Sequence, residues 1–407
     1  MIEIIKKNIG ADKIAIIFSQ IASALVMLLL GKIIALNFTP QVFGEYNLQF
    51  AIYTLCFSIF LSPFLQFIKT NNNTLNLKIG YLGYIPIFIV LSILSIILLI
   101  ILFHINNIDF SISVLILIFI YLLFNSLFKI CIDRINTSGQ LKTYSYLNLF
   151  QKLLLLLTLT IVIYSFKEKT NSLLWLYSAI TSFSALFLCF FYLDFTLRSN
   201  FKVSTKKIVI KILKFSMPLV IMSIWGWINN YFDRFAINFY LSENEVGLYN
   251  ASYSIGAKFF SIISLMALAI LTPIVYGNQK IVTKKEKIKK YSKLYTYLAF
   301  LVIPLVFVFY PLIGKVLLSN MYAEGFYIIP GINIAYFLIT LSYLFELLFY
   351  AESKTKYILY SNLAAALLNI ILNIILIPIL GIYGAMLATV FSFAIKLILT
   401  IYYFIKL

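Results

Sequence analysis

Long apolar runs, separated by short polar segments, follow one another along almost the whole chain. A helix needs about 20 apolar residues to cross the roughly 30 Å hydrocarbon core of a bilayer, and most of these runs reach that length. Between Pro304 and Pro330, where prolines and glycines are frequent, we expect the helix to break or to re-enter the bilayer. The pattern predicts twelve spanning helices, at approximately residues 14–36, 46–68, 81–103, 110–132, 145–166, 173–195, 215–239, 247–275, 293–311, 326–350, 357–379 and 381–405.

The composition agrees with this pattern. Hydrophobic residues make up 62% of the 407 residues and charged residues 11%, against roughly 45–50% and about 25% in soluble chains. The predicted fold class is therefore an all-α integral membrane protein, with little chain left for a soluble domain. The basic segment 1–13 is typical of the start of a signal peptide, but the apolar run behind it is too long, and we interpret it as an uncleaved first span.

Positive charge is distributed among the connections rather than gathered in one patch. The chain carries a formal net charge of +18, but lysine and arginine concentrate in the even-numbered connections and at both ends. The odd-numbered connections carry only Lys167, Lys169 and Lys315. Because cytoplasmic loops are enriched in basic residues, both termini are expected to be cytoplasmic. Membrane topology explains the charge better than binding of nucleic acid does.

The sequence contains an internal repeat. Residues 42–47, Val-Phe-Gly-Glu-Tyr-Asn, recur as residues 245–250, Glu-Val-Gly-Leu-Tyr-Asn, half a chain length later. This offset predicts two six-helix lobes related by an axis along the membrane normal, a plan that recurs in transporters. We therefore divide the chain into an N-terminal lobe (1–197), a basic cytoplasmic linker (198–214) and a C-terminal lobe (215–407).

No arrangement of residues for catalysis is visible. The single histidine, His104, lies in a predicted external loop, and acidic residues are scattered singly, which argues against a metal site. The chain has no phosphate-binding loop for ATP. Cys56, Cys131 and Cys189 lie in apolar runs and are expected to be buried without disulfides. We expect a protein that binds and moves a substrate, with no enzymatic activity, cofactor or metal.

Charges inside the predicted spans are the main functional signal. An ionisable group near a span centre costs at least about 2.5–3.5 kcal/mol unless it faces a partner or a water-filled cavity. Arg234, Lys258 and Lys396 lie at increasing depth from the outer side, and Lys32 precedes the first repeat copy much as Arg234 precedes the second. These four residues are expected to bind an anionic headgroup such as a phosphate or pyrophosphate. Lys32 also lies close enough to a span end to reach lipid headgroups instead.

Polar residues around these charges extend the candidate site. Arg234 has a structural alternative, an ion pair with Asp233. Adjacent residues of a helix do not face each other, however, so Asp233 is expected to reach Lys258 instead. Glu346 is either a binding residue for a coupling ion or a simple interfacial residue. The other polar and aromatic residues expected in the cavity are Asn230, Asn369, Asn373 and Tyr253.

Several segments of the chain resemble one known family. Residues 214–219 (Lys-Phe-Ser-Met-Pro-Leu), 233–235 (Asp-Arg-Phe) and 246–249 (Val-Gly-Leu-Tyr) resemble the start of the second half of the polysaccharide flippases of the Wzx type. This family belongs to the superfamily that also holds the multidrug and toxic compound extruders. Residues 369–385 are similar to its eleventh and twelfth spans, and residues 43–46 to its first external turn.

The resemblance implies a two-lobed, twelve-helix fold like that of the extruders, with a cationic central cavity. The implied substrate is an oligosaccharide unit on polyprenyl pyrophosphate, moved from the cytoplasmic to the outer leaflet for O-antigen or capsule synthesis. It also implies the bacterial inner membrane as location, with membrane lipid, a polysaccharide polymerase and the chain-length machinery as partners. The pair Asp233 and Arg234 lies where the family often has these residues, whereas Lys32, Lys258 and Lys396 rest on their depth alone.

Two other functions stay open at this point, and a purely structural membrane subunit is a third alternative, although it would not explain Lys258 and Lys396. A drug or cation extruder of the same fold would favour acidic residues in its cavity, whereas the deep charges here are mainly basic. A membrane polymerase that joins sugar units would have a large external loop with catalytic polar residues. The predicted external connections are short.

Overall fold

The computed structural model describes residues 11–70, 81–190, 205–277 and 280–407. Twelve helices in these ranges are long and apolar enough to cross a membrane. No strand occurs in the same ranges. The predicted all-α membrane fold with twelve spans is therefore confirmed.

Each predicted span overlaps one observed helix. The helices are α1 (Ala11–Asn37), α2 (Pro40–Thr70), α3 (Ile85–Ile105), α4 (Ile112–Thr137), α5 (Leu141–Ser165), α6 (Asn171–Phe190), α7 (Thr205–Tyr240), α8 (Glu243–Val275), α9 (Ile281–Leu317), α10 (Ile329–Ala351), α11 (Lys356–Leu380) and α12 (Ile382–Lys406). Short 3₁₀ segments occupy Tyr81–Tyr84 and Asn320–Ile328. Helix α9 begins at Ile281. Most of the lysine-rich stretch before the predicted ninth span is therefore helical and continuous with that span.

The proline-rich stretch beyond residue 304 contains a single break in the helical structure. Helix α9 continues through Pro304 and Pro311 to Leu317, and the 3₁₀ segment follows before α10 begins with Pro330 in its first turn. Proline is tolerated in the first turn of a helix because its missing N–H would lack a helical partner there. The expected break therefore lies after Leu317, where α9 ends and the 3₁₀ segment follows.

Two helices begin at a serine that caps the backbone. Ser111 accepts a hydrogen bond from the backbone N–H of Val114 at 3.3 Å, and Ser242 accepts one from that of Glu245 at 3.3 Å. Such caps satisfy N–H groups that the helix itself leaves free. Helix α8 also carries Glu243 and Glu245 in its first turn, where negative charge is favourable for the helix dipole.

The chain forms two compact units. The first contains Leu48–Ile224 together with the chain up to Leu30, and the second contains Gly31–Asn47 and Trp225–Leu407. Helix α7 begins at Thr205, inside the stretch predicted as a linker, while residues 198–204 lie outside the described residues. The predicted division at 197 and 214 stays a prediction.

The first unit is centred on a buried tryptophan. Trp175 is fully buried and donates its indole N–H to Oε1 of Gln49 at 2.8 Å. Gln49 in turn donates to the backbone carbonyl of Asp109 at 3.1 Å. Nearby, the hydroxyls of Thr158 and Thr181 lie 2.6 Å apart. The three cysteines are buried and free, as predicted.

In the second unit the two copies of the sequence repeat cross each other. A Cβ added at Gly44 would overlap the backbone carbonyl of Glu243, and one added at Gly247 would overlap that of Pro40. Only glycine allows backbones to approach this closely. One turn further on, the side chain of Asn250 donates to Oδ1 of Asn47, its equivalent 203 residues earlier. The crossing places the first turns of α2 and α8 beside the end of α7.

Candidate functional site

Arg234 lies in α7 with a nearly complete set of partners. Its side chain is 8% exposed and its Nη1 lies 2.9 Å from Oδ1 of Asp233. Nη1 also donates to the backbone carbonyl of Asn230, and Nε donates to Oδ1 of Asn250 at 2.9 Å. Tyr249 donates to the other oxygen of Asp233 at 2.7 Å. The buried cation is therefore neutralised within its own surroundings.

The expectation that Asp233 reaches Lys258 is wrong. Asp233 accepts a hydrogen bond from the backbone N–H of Arg234 at 2.9 Å, so its carboxylate bends towards the following residue. The Arg234 side chain turns back to meet it. Adjacent residues of a helix can pair in this way when one of them is long and the other accepts from the backbone.

Two tyrosine rings flank the Arg234 guanidinium. Its central carbon lies 4.9 Å from the ring centre of Tyr231 and 5.3 Å from that of Tyr253. A desolvated cation beside an aromatic face gains electrostatic stabilisation, commonly about 2 kcal/mol or more. The Nη2 group of Arg234 forms no hydrogen bond with any residue in the described part of the chain. It is therefore the part of the guanidinium that could still donate to an anion.

A chain of hydrogen bonds connects Arg234 to three other helices. On one side, Asn250 of α8 joins the guanidinium to Asn47 of α2. On the other side, Asp233 accepts from Tyr249, whose hydroxyl lies 3.3 Å from that of Thr389 in α12. The position of Arg234 thus depends on both repeat copies and on the last span.

Lys396 and Glu346 form a second buried pair. Nζ of Lys396 lies 3.2 Å from Oε1 of Glu346, and both side chains are about 5% exposed (6% and 5%). The ring centre of Tyr343 lies 4.8 Å from the same Nζ. The structure therefore joins two residues to which the sequence assigned separate roles, one in headgroup binding and one in ion coupling.

Lys258 differs from both of these cations. It lies near the middle of the span Glu243–Thr272 and is half-buried. It forms no hydrogen bond or ion pair with any residue in the described ranges. Ser254, one turn earlier, is exposed, and Ser261, one turn later, is half-buried, so these three residues form a polar face of α8.

Helix packing explains why this polar face stays open. Gly256 accepts a hydrogen bond from Asn333 at 3.2 Å, and the ring centre of Phe260 lies 5.4 Å from that of Phe337, so both residues face α10. Lys258 is two residues from each of them and hence about 200° around the helix. Its side chain therefore points away from α10.

The side chain of Lys32 binds the C-terminal end of another helix. It donates to the backbone carbonyl of Lys315 at 3.0 Å and to that of Leu318, at the C-terminus of α9. A cation is favourable there because the last carbonyls of a helix carry partial negative charge. Ser319 donates to the carbonyl of Ala35 at 2.5 Å, which fastens the same junction. Lys32 thus occupies a position similar to that of Arg234 but has entirely different partners.

The predicted asparagines separate into two groups. Asn369 and Asn373 are buried, and Asn373 donates to Oδ1 of Asn369 at 3.0 Å. Oδ1 of Asn373 is buried without a hydrogen-bond partner in the described part of the protein. Asn230 is exposed and donates to the backbone carbonyl of Gly226 at 2.6 Å. The backbone carbonyl of Asn230 accepts from Arg234, whereas the side-chain amide of Asn369 donates to the hydroxyl of Ser392 at 3.4 Å.

Two residues of the site, Asn47 and Asn250, were not predicted as site residues. Tyr249 and Asn250 hold the charged pair, and Asn47 holds Asn250. The repeat contained a usable signal, since the last two residues of its second copy are Tyr249 and Asn250 and its first copy ends at Asn47. No group of three or more histidine, cysteine, aspartate or glutamate residues suited to a metal ion occurs in the described ranges.

Known structures share this fold over nearly the whole chain. An inward-facing multidrug resistance transporter of the MATE family, in the MOP superfamily, is 13% identical with a TM-score of 0.74, covering 94% of this chain and 94% of that one. The lipid II flippase MurJ in an inward closed conformation is 16% identical with a TM-score of 0.73, covering 97% of this chain and 87% of that one. A Vibrio cholerae MATE transporter, VcmN, is 13% identical with a TM-score of 0.54, covering 97% and 95% of the two chains.

Sequence comparison gives the family. No curated protein matches the chain. The family described as polysaccharide biosynthesis protein matches residues 38–327, more than half of the chain and the part that contains both repeat copies. The MATE-like fold expected from the resemblance is thus confirmed by the solved structures. On this match, the chain is a multi-pass membrane protein that belongs to the polysaccharide biosynthesis protein family.

Proposed function

We propose that the protein is a flippase for lipid-linked oligosaccharides. It moves an oligosaccharide repeat unit on polyprenyl pyrophosphate from the cytoplasmic to the outer leaflet of the bacterial inner membrane, for O-antigen or capsule synthesis. Family membership and the fold shared with a lipid flippase support this function. The observation that carries it is the unpaired Lys258 near the middle of a span.

A lysine without a partner is costly at this depth. A charged side chain at a bilayer centre costs at least about 2.5–3.5 kcal/mol unless water or an opposite charge compensates it. Lys258 lacks an opposite charge among the described residues, and its neighbours on α8 are the serines 254 and 261. We infer that this face lines a water-filled interior and that the diphosphate of the substrate supplies the missing negative charge.

The other cations contribute in different ways. Arg234 keeps one nitrogen, Nη2, for an additional acceptor, and its other nitrogens are held by protein groups. Lys396 is balanced by Glu346 and would meet an anion only if that pair opened. We therefore place the first contact with the diphosphate at Lys258, with Arg234 as a second donor and Lys32 outside the binding step.

The transport step needs no chemistry on the substrate. The cationic interior lowers the cost of moving a diphosphate through hydrocarbon, which is otherwise prohibitive, while the polyprenyl tail stays in lipid. Alternating access then exposes the headgroup on the other side. Because the cell interior is negative, outward movement of an anion gains about 2.3 kcal/mol per charge per 100 mV. A polymerase and chain-length machinery would consume the product outside, and both termini would be cytoplasmic.

The charge distribution disfavours the two alternative functions. Asp233 and Glu346 are the buried carboxylates of the described residues, and each is ion-paired with a cation. Neither is therefore available to an organic cation, as an extruder of cationic drugs would require. The connections between the described spans on the outer side are short, which disfavours a polymerase with an external catalytic domain.

Depletion of the protein in cells tests the function directly. An impermeant probe directed at the glycan would report polyprenyl-linked repeat units on intact and on opened cells. We expect single units to accumulate on the cytoplasmic face, where the probe reaches them only after opening. Single units already outside would instead indicate a polymerase, and the absence of any accumulation would favour an extruder.

A further inference from the structure

Helix α10 carries a row of tyrosines at a spacing of seven residues. Tyr336, Tyr343 and Tyr350 follow one another on the same face, because seven residues make almost two full turns. Successive tyrosines are therefore about 10 Å apart along the helix axis, and the row extends about 20 Å. Tyr336 and Tyr343 are half-buried, and Tyr350 is 48% exposed.

These partly exposed rings lie on a helix that is otherwise largely buried. In the span that contains α10, 72% of an 18-residue stretch is buried, the highest share among the twelve spans of the described residues. Tyr336 and Tyr343 both pack on one side against a cluster formed by Ala335, Ile339 and Phe393. Each ring keeps part of its surface accessible, so the row has one packed side and one partly accessible side.

The open front of the row differs from a lipid-facing surface. Many exposed side chains on neighbouring spans are aliphatic or phenylalanine, for example Phe307 in α9 and Ile375 in α11, and the exposed tyrosines of α11 and α12 lie within five residues of a helix end. Tyrosine in contact with lipid prefers the two interfaces, where its hydroxyl meets water. Tyr343 lies well inside its span. Its polar ring is consistent with a water-filled interior rather than with hydrocarbon.

The first two tyrosines of the row each lie close to a buried cation, Tyr336 by way of Tyr253 and Tyr343 directly. Tyr336 contacts Tyr253 edge to face, with ring centres 5.6 Å apart, and Tyr253 flanks Arg234. Tyr343 lies under Nζ of Lys396 at 4.8 Å. The row therefore begins near Arg234 and continues towards the C-terminal end of α10.

We propose that Tyr336, Tyr343 and Tyr350 form a track on which the sugar rings of the substrate stack during transport. This proposal rests on the proposed flippase function and identifies its glycan-binding surface. A pyranose ring presents a face of C–H groups that packs on an aromatic ring, while the tyrosine hydroxyl bonds to sugar hydroxyls. Equal steps of about 10 Å place successive platforms within reach of a short oligosaccharide. Because each contact is weak and repeated, the glycan can move from ring to ring.

Transport of two carriers by the reconstituted full-length protein tests this track. One carrier is polyprenyl pyrophosphate with an oligosaccharide, the other is polyprenyl pyrophosphate alone, and accessibility to an added soluble pyrophosphatase reports both. The Tyr336→Leu/Tyr343→Leu variant should move the glycan-loaded carrier about tenfold more slowly and the bare carrier at the wild-type rate. The matched control, Phe309→Leu/Phe391→Leu, removes exposed aromatic rings elsewhere in the unit and should change neither rate.

Failure of the track and failure of the flippase function give different results. If the wild-type protein moves neither carrier, the flippase function is wrong. If it moves the loaded carrier and the tyrosine variant slows neither carrier, or slows both equally, the track is wrong and the flippase function stands.

A binding measurement checks the same proposal without transport. In a Tyr343→Trp variant the aromatic platform is retained, so transport of the loaded carrier should persist. Adding the free oligosaccharide to this purified full-length variant should change the tryptophan fluorescence relative to the wild-type protein, which has three tryptophans of its own. An unchanged difference signal at saturating oligosaccharide would overturn the track.

Discussion

The surroundings of Arg234 and Lys258 differ although both cations lie on spanning helices of the second unit. Arg234 is enclosed by a carboxylate, two asparagines and two tyrosine rings. Lys258 is half-buried and forms no ion pair with the described residues. The comparison teaches that depth in a span does not by itself identify a binding residue. A buried cation that is already neutralised supports the architecture, and one that is not neutralised is available to a ligand.

The largest effect is expected from breaking the Lys396–Glu346 pair. Lys396→Met should lower the free energy of unfolding by about 3–5 kcal/mol, because Glu346 is left as an uncompensated buried charge. Thermal or denaturant unfolding of the purified protein in detergent measures this loss. The double variant Lys396→Met/Glu346→Leu should recover most of it. Wild-type stability of the single variant would contradict the stabilising role of this ion pair.

Lys258→Ala should impair transport and leave stability almost unchanged, the opposite of what is expected for Lys396→Met. Transport should fall about 100-fold, which corresponds to about 2.7 kcal/mol, while the free energy of unfolding changes by less than about 0.5 kcal/mol. Lys258→Arg should retain part of the activity, since it keeps the charge. Lys356→Ala, at an exposed lysine of α11, is the control and should transport normally. Normal transport by Lys258→Ala would contradict the proposed headgroup site.

Asn250→Ala tests how far Arg234 depends on its neighbours. The variant removes the acceptor of Arg234 Nε and the partner of Asn47. Hydrogen bonds to charged groups contribute about 1.5–3 kcal/mol, so the free energy of unfolding should fall by that amount. Asn238→Ala, on the same helix as Arg234, is a control in which a half-buried asparagine is lost. Equal losses of unfolding free energy in the two variants would show that the hydrogen bonds of Asn250 add no stability beyond that of an ordinary half-buried asparagine.

The smallest effect is expected at Lys32. Lys32→Ala removes a cation from the C-terminus of α9 and should cost about 0.3–1 kcal/mol of stability. Lys32→Arg should preserve it, and transport should be near normal in both variants. A strong loss of transport with unchanged stability would instead support the headgroup role that the sequence predicted for Lys32.

The number of spans could be predicted from sequence, and the pairing of charges could not. Hydropathy identifies spans because the backbone in a bilayer must satisfy its hydrogen bonds within each helix, so every span is visible as a local run. The partner of Lys396 depends on how α10 and α12 are rotated and packed, which no local pattern records. Asp233 was assigned the wrong partner because ideal helix geometry says nothing of a carboxylate that accepts from the next backbone N–H.

The sequence repeat also shows that a local pattern does not reveal which residues are in contact. Its offset predicted that residues 44 and 247 are equivalent but not that they touch. Equivalence follows from duplication, whereas contact follows from both glycines lying where two helices begin. The tyrosine row of α10 could have been found from its spacing of seven, but its exposure could only be known once the neighbouring helices were placed.

The crossing of the two repeat copies also has a consequence for biosynthesis. Asn47 meets Asn250 only after another 203 residues have been made. At roughly 5–20 residues per second, the ribosome needs on the order of 10–40 s to deliver that partner. During this interval the Oδ1 of Asn47 lacks the hydrogen bond that it accepts in the folded protein, and the glycine crossing is open. The start of α2 can therefore complete its packing against α8 only after the first half of the chain and the start of the second half have been synthesised.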